Sequence, residues 1–233
     1  MLEEKIEPNQ IIETVLKADE IISPLVDDDL ITMAMSLGIN QAVFGEIYQV
    51  IRDRGTEISR QVMMGPLVEA TFDWTDNVAS LQVGPYKKEL KFEQLLKFMG
   101  LIDAVYAPVY PLGTILKIKQ GMLPEQWQTM FSNQDELLVM VVGRKQELQN
   151  DFADYLFDYI TVLWPLGVLP NVEPISISNL MIDRVIALGH TDELEKEMAE
   201  KVLKASQLAN KQISSAFMPD DIVSEYLASI GDL

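Results

Sequence analysis

The apolar residues of this chain repeat with one period before residue 108 and with another after it. In "NQIIETVLKADEII", Ile11, Ile12, Val15 and Leu16 recur three and four residues apart, which predicts a helix that Pro24 ends. "DDDLITMAMSLG" opens on three aspartates and closes on Gly38. Acid suits the positive end of a helix dipole, and glycine suits a left-handed exit. Asn40 is the predicted cap of a further helix, whose Val43, Ile47, Val50 and Ile51 line one face up to Gly55. Gly65-Pro66 divides "EISRQVMMGPLVEATFDW" into two pieces. Val78 to Val83 alternates as a short strand closed by Gly84-Pro85, and "FEQLLKFMGL" reads as a short helix.

From Pro108 the period becomes two. In "YPLGTILKIKQG", Thr114, Leu116 and Ile118 point one way and Lys117 and Lys119 the other, a strand with one wet face. Pro111 stands at its start, where a missing N–H is tolerated. The segment "GMLPEQWQTMFSNQ" reads as an insertion with one helical turn around Glu125 to Phe131. Leu137 to Val142 is apolar on both faces, as a central strand requires. "YLFDYITVLWPLG" is a third strand, and a fourth falls near Arg184 to Leu188. A helix capped by Thr191 follows, with Leu194, Met198, Val202 and Ala205 as its predicted buried stripe. Glu197–Lys201 and Glu200–Lys204 have the spacing of helix ion pairs. In the tail, Ile222, Val223, Tyr226, Leu227 and Ile230 form a short amphipathic helix after Pro219. The two Pro-Leu-Gly triplets are not accompanied by any further repeat.

These patterns predict an α+β protein. Its mostly antiparallel sheet has about four or five strands covered by helices, behind a helical N-terminal region. The expected division is a mostly helical region 1–105, a sheet-rich region 106–210 and an acidic amphipathic tail 211–233, with one compact domain as the alternative.

Composition removes whole classes of chemistry. The chain has no cysteine, so disulfides, thiolate metal sites and thiol nucleophiles are absent. One histidine, His190, leaves no multi-histidine metal site and nearly excludes a histidine triad. A formal net charge of −18 argues against nucleic acid and anionic membrane surfaces, and leaves simple solubility or a basic partner as its role. No run approaches the roughly 20 apolar residues of a membrane span. The acidic start "MLEEKIEPNQ" is unlike a secretion signal, so the expectation is a soluble cytoplasmic protein.

Of the carboxylates, Asp27 to Asp29 read as a helix start rather than a metal site. Asp151, Asp154 and Asp158 lie around the third strand without an evident partner base. His190 reads as a turn residue, and Arg144 as the partner of a local carboxylate. The expectation is no catalytic residue, no metal and no cofactor. The leading binding candidate is the apolar loop after the third strand, with Trp164, Leu166, Val168 and Leu169 as contact residues. The favoured expectation for that loop is nonetheless burial under a neighbouring helix, with exposure as a binding surface the lesser one.

Four pieces stand in order: "PLGTILKI", "ELLVMVVGRKQ", "FDYITVLWPLG" and "DRVIALGHTDELEKEM". Together, from about Pro108 to Leu203, they resemble a family of unknown function encoded beside LXG polymorphic toxins in type VIIb secretion loci of Firmicutes. A longer insertion from Gly121 to Asp135, and Trp164 where that family more often carries tyrosine, are departures. The N-terminal "DDLITMAMSLGINQAVFGEIYQVIRDRG" followed by "PLVEATFDW" is similar to EspG-type secretion chaperones. The two resemblances imply a cytosolic chaperone or targeting factor that holds an LXG effector, with a protein as its partner and no membrane insertion. An immunity protein against a polymorphic toxin and a carboxylate-dependent enzyme are the rival readings.

Overall fold

The computed structural model describes residues 7–122, 137–170 and 172–231. The turn expected around Glu125 to Phe131 lies outside the described residues. Two compact units divide the chain: Met1–Ala107 with Phe217–Leu233, and Pro108–Ala216. The stretch 211–233 therefore splits. Residues 211–216 belong with the second unit, and the rest returns to the first. The protein is α+β, with helices at the N-terminus and two sheets, of four and six strands.

The first unit opens with α1 (Pro8–Ala18), α2 (Asp28–Ile39) and α3 (Gln41–Arg52). Ile12 and Leu16 bury the inner face of α1. Asp27 caps α2 by accepting from the Leu30 N–H at 2.9 Å, so the aspartate run starts a helix as read. Its carboxyl is held below the usual range by the Lys88 ammonium and by that N–H. Asn40 stands at the N-cap position of α3, as read, but its side chain makes no capping bond there. Its Nδ2 donates to Ser36 O at 2.7 Å and closes α2 instead, and the two helices bend by 100° there.

Four strands follow: β1 (Glu57–Gln61), β2 (Leu67–Asp73), β3 (Val78–Val83) and β4 (Tyr86–Lys91). They form an antiparallel meander in sequence order. The pieces on either side of Gly65-Pro66 are thus β1 and β2, and β3 has the predicted limits. Alternation explains the pairing: Val68, Ala70 and Phe72 are buried with Ala79, Leu81 and Val83 opposite. Asp73 Oδ1 accepts from the N–H groups of Thr75 and Asp76 and shapes the β2–β3 turn.

Helix α4 (Phe92–Tyr106) is longer than its predicted core, and buried residues run through most of it. It packs with α1 and α2. Gly38 does not end α2 but lies inside it. A Cβ there would stand 2.3 Å from the Tyr106 ring. Gly38→Ala will therefore destabilise this unit by about 1–3 kcal/mol, measured by urea unfolding. Burial pushes the Tyr106 phenol from its ordinary value near 10 up to about 12. Its contribution to stability is full below pH 10 and is lost as pH rises toward 12. Tyr106→Phe will flatten this alkaline limb in melting temperatures followed against pH.

The tail enters this unit through Phe217, whose ring meets Phe44 and Tyr48 at 6.2 and 5.6 Å. Helix α7 (Asp220–Gly231) leaves Leu227 and Ile230 exposed, so its packing is confined to its first half.

In the second unit β5 (Ile115–Ile118), β6 (Leu138–Glu147), β7 (Tyr155–Leu163) and β9 (Ile182–Ala187) make the body of the sheet. The order is β10-β7-β6-β5-β9, with β8 (Ile175–Ile177) also on β7 and β10 (Ile213–Ser214) parallel to it. Leu116, Ile118, Val139, Val141, Tyr159 and Leu163 form one core with Ile175 and Ile177. The "YPLG" turn is closed by Thr114 N–H to Pro111 O at 3.2 Å, with Gly113 at φ +80°, and it opens β5 as read.

Between Val141 and Gly143 the β6–β7 register shifts by one residue. Before the shift Val141 faces Thr161; after it Arg144 faces Tyr159 and Gln146 faces Phe157. Lys145 therefore falls opposite Asp158, whereas the unshifted register would set it against Phe157. Lys145 Nζ lies 2.7 Å from Asp158 Oδ1, with the side chains 4% and 0% exposed. Asp158 Oδ2 also accepts from Ser214 Oγ at 2.6 Å and from the Asn179 N–H at 3.1 Å.

Candidate functional site

The loop from Trp164 to Pro170 leaves the end of β7. Trp164 N–H donates to Leu138 O at 3.0 Å, and Gly167 N–H returns to Leu163 O at 2.7 Å with Gly167 at φ +72°. These bonds tie both ends of a tight turn to the sheet. Leu169 is partly buried and packs on the core of the second unit. Beneath it, against Val162, Leu163 and Ile175, the residual cavity is about 10 Å³, at the lower limit for a single water. The loop is thus a filled and supported platform.

Its other apolar side chains face outward. Trp164 is 43% exposed, Leu166 56% and Val168 77%. The favoured expectation, burial under a helix, is therefore overturned for these three side chains. Of the four predicted contact residues, three are presented together and Leu169 serves as their anchor.

The carboxylates do not assemble into a site. Asp158 is locked in the buried network with Lys145 and Ser214, whereas Asp151 and Asp154 are exposed. Among the described residues no group of three His, Asp or Glu side chains is placed to hold a metal ion. His190 is exposed on the irregular segment after β9, 3.4 Å from Asp192. A groove of about 640 Å³ lies on the first unit. Glu46, Glu57, Ser59, Arg60 and Glu69 line it, with Arg60 paired to Glu46 and Ser59 Oγ 3.2 Å from Glu69. Asp154 and Asp158 are not among its walls.

The helix after β9 departs from its reading. It comprises α5 (Glu193–Glu197), a π-helical segment Met198–Lys204 and α6 (Ala205–Ala209). Asp192, not Thr191, is the N-cap, accepting from the Glu195 N–H at 2.8 Å. That N–H is also the main reason its carboxyl lies below the usual range. The stripe Leu194, Met198, Val202 and Ala205 is not buried. The inward column is Glu195, Ala199, Leu203 and Gln207, one residue along. Arg144 explains the rotation: its guanidinium donates to both Glu195 oxygens, with side chains 8% and 19% exposed. This is the local carboxylate partner expected for Arg144. A column spaced strictly by four needs about four residues per turn, which the π segment approaches. Fully burying a side chain of this size is worth about 1.5–3 kcal/mol, so three exposed ones leave substantial apolar surface unsatisfied. The Glu197–Lys201 pair is present at 3.1 Å.

No single helix among the described residues is long and apolar enough to cross a membrane. Residues 129–198 match the family model of a domain of unknown function, DUF4176, a range within the second unit. No curated protein and no solved structure matches the chain.

Proposed function

We propose that this chain is a cytosolic chaperone or targeting factor that binds an LXG-type effector for type VIIb secretion. One observation carries the reading: Trp164, Leu166 and Val168 stand exposed together on a supported loop of a chain with net charge −18. Apolar anchors in a charged surround are the ordinary chemistry of a protein-docking surface. The strong negative charge keeps a complex carrying apolar surface in solution. The four sequence pieces that resemble the LXG-associated family lie in the same unit as the loop, and that resemblance supports an LXG effector as the partner.

The test is capture of an effector divided into its N-terminal targeting half and its C-terminal toxic half. Retention of the N-terminal half on the immobilised full chain is the expected result. Retention of the toxic half alone would replace this function with immunity, for which the acidity also suits a basic toxin site. A hydrolase screen with divalent metal, on wild type and on Asp154→Asn, addresses the enzyme reading; an activity lost in that variant would overturn the binding role. Asp158→Asn is unsuitable there, because Asp158 holds the fold.

A further inference from the structure

We infer that the chain pairs with a second copy of itself through the exposed stripe of the helix that starts at Glu193, the two helices running antiparallel. Leu194 is 71% exposed, Met198 38% and Val202 51%, although they occupy one column of the helix. The segment leading into the helix adds Leu188, 58% exposed, and Leu112, 50% exposed, whose backbone carbonyl lies against Gly189. An exposed apolar column on a helix marks an interaction site.

The column is self-complementary. An axis through Met198 sets Met198 on its own copy and places Leu194 against the copy's Val202, in both directions. That is the requirement of a two-fold interface. The neighbouring outward column reads Glu193, Glu197, Lys201, acidic first and basic last. Lys201 pairs with its own Glu197 at 3.1 Å and Lys196 with Glu193 at 2.6 Å, and antiparallel pairing adds the other copy's Glu193 and Glu197 to the surroundings of each Lys201. Parallel pairing would align like charges. The charge order therefore selects a second copy in one orientation. The surface is independent of the Trp164–Val168 loop, so it stands whether or not that loop binds an effector.

Two chains of net charge −18 repel at long range, a term that salt screens within about 8 Å at physiological ionic strength. Dimerisation should therefore strengthen as salt rises from low to physiological levels. One helix stripe is a small interface, so the dimer will be concentration-dependent.

Sedimentation equilibrium of the full chain over a wide concentration range is the test. A monomer–dimer equilibrium is expected, and Met198→Glu should weaken it by roughly a hundredfold. Lys201→Glu should also weaken self-association. Mixing Lys201→Glu with Glu197→Lys should restore dimers, because each new charge then meets its opposite. Circular dichroism and melting temperature verify that the substituted chains remain folded. A wild-type chain that stays monomeric throughout, a dimer untouched by Met198→Glu, or a mixture that fails to re-form dimers would each overturn the inference.

Discussion

Asp158→Ala will cost the second unit about 3–5 kcal/mol, because it leaves the Lys145 ammonium buried and uncompensated. The whole stability of a domain this size is about 5–15 kcal/mol, so the loss is a large fraction of it. Both side chains are almost fully shielded, and the carboxylate has three partners on three elements: Lys145 of β6, the Asn179 N–H and Ser214 of β10. Urea unfolding followed by hydrogen exchange at the β6 and β7 amides reads this unit. Removing both charges together, as Lys145→Met with Asp158→Leu, should recover most of the loss, since the desolvation cost disappears with the attraction. Ser214→Ala should cost less, about 1.5–3 kcal/mol for a hydrogen bond to a charged group. An Asp158→Ala variant as stable as wild type would mean that the network contributes no net stability.

Replacing Trp164, Leu166 and Val168 together by serine should weaken effector capture by roughly a hundredfold or more, as loss of central apolar anchors does. Stability should change little, because these three side chains are already substantially exposed. Leu169→Ser is the contrasting variant. Leu169 packs on the core, so its loss should lower the unfolding midpoint as well as affinity. Titration calorimetry with the N-terminal effector half separates the two effects. Unchanged affinity in the triple variant would remove the loop from the binding surface.

Much of the fold was legible because local rules sufficed. Asp27 starts α2 by capping, β3 runs from Val78 to Val83, and Thr114, Leu116 and Ile118 are buried in alternation. The remaining strands of the first sheet were harder. "EISRQ" buries only Ile58, so its alternation is invisible until Val68, Ala70 and Phe72 are paired beside it. Gly38 and Asn40 had the right chemistry for helix ends. Their actual roles were set by the Tyr106 ring and the Ser36 carbonyl. The candidate loop was legible as apolar residues around a Pro-Leu-Gly turn, but its exposure depended on what packs over it.

By itself the sequence determined the class of the fold, the placement of its clearest helices and strands, and the absence of thiol and multi-histidine chemistry. These follow from residue identity and short-range period alone. Only the tertiary structure decided which face of the helix beginning at Glu193 turns inward and what Lys145 opposes. A helix of given sequence can rotate about its axis, and a strand can slip by one residue, without breaking local rules. The choice was made by partners distant in the chain: Arg144 drew in Glu195, and a one-residue bulge delivered Lys145 to Asp158.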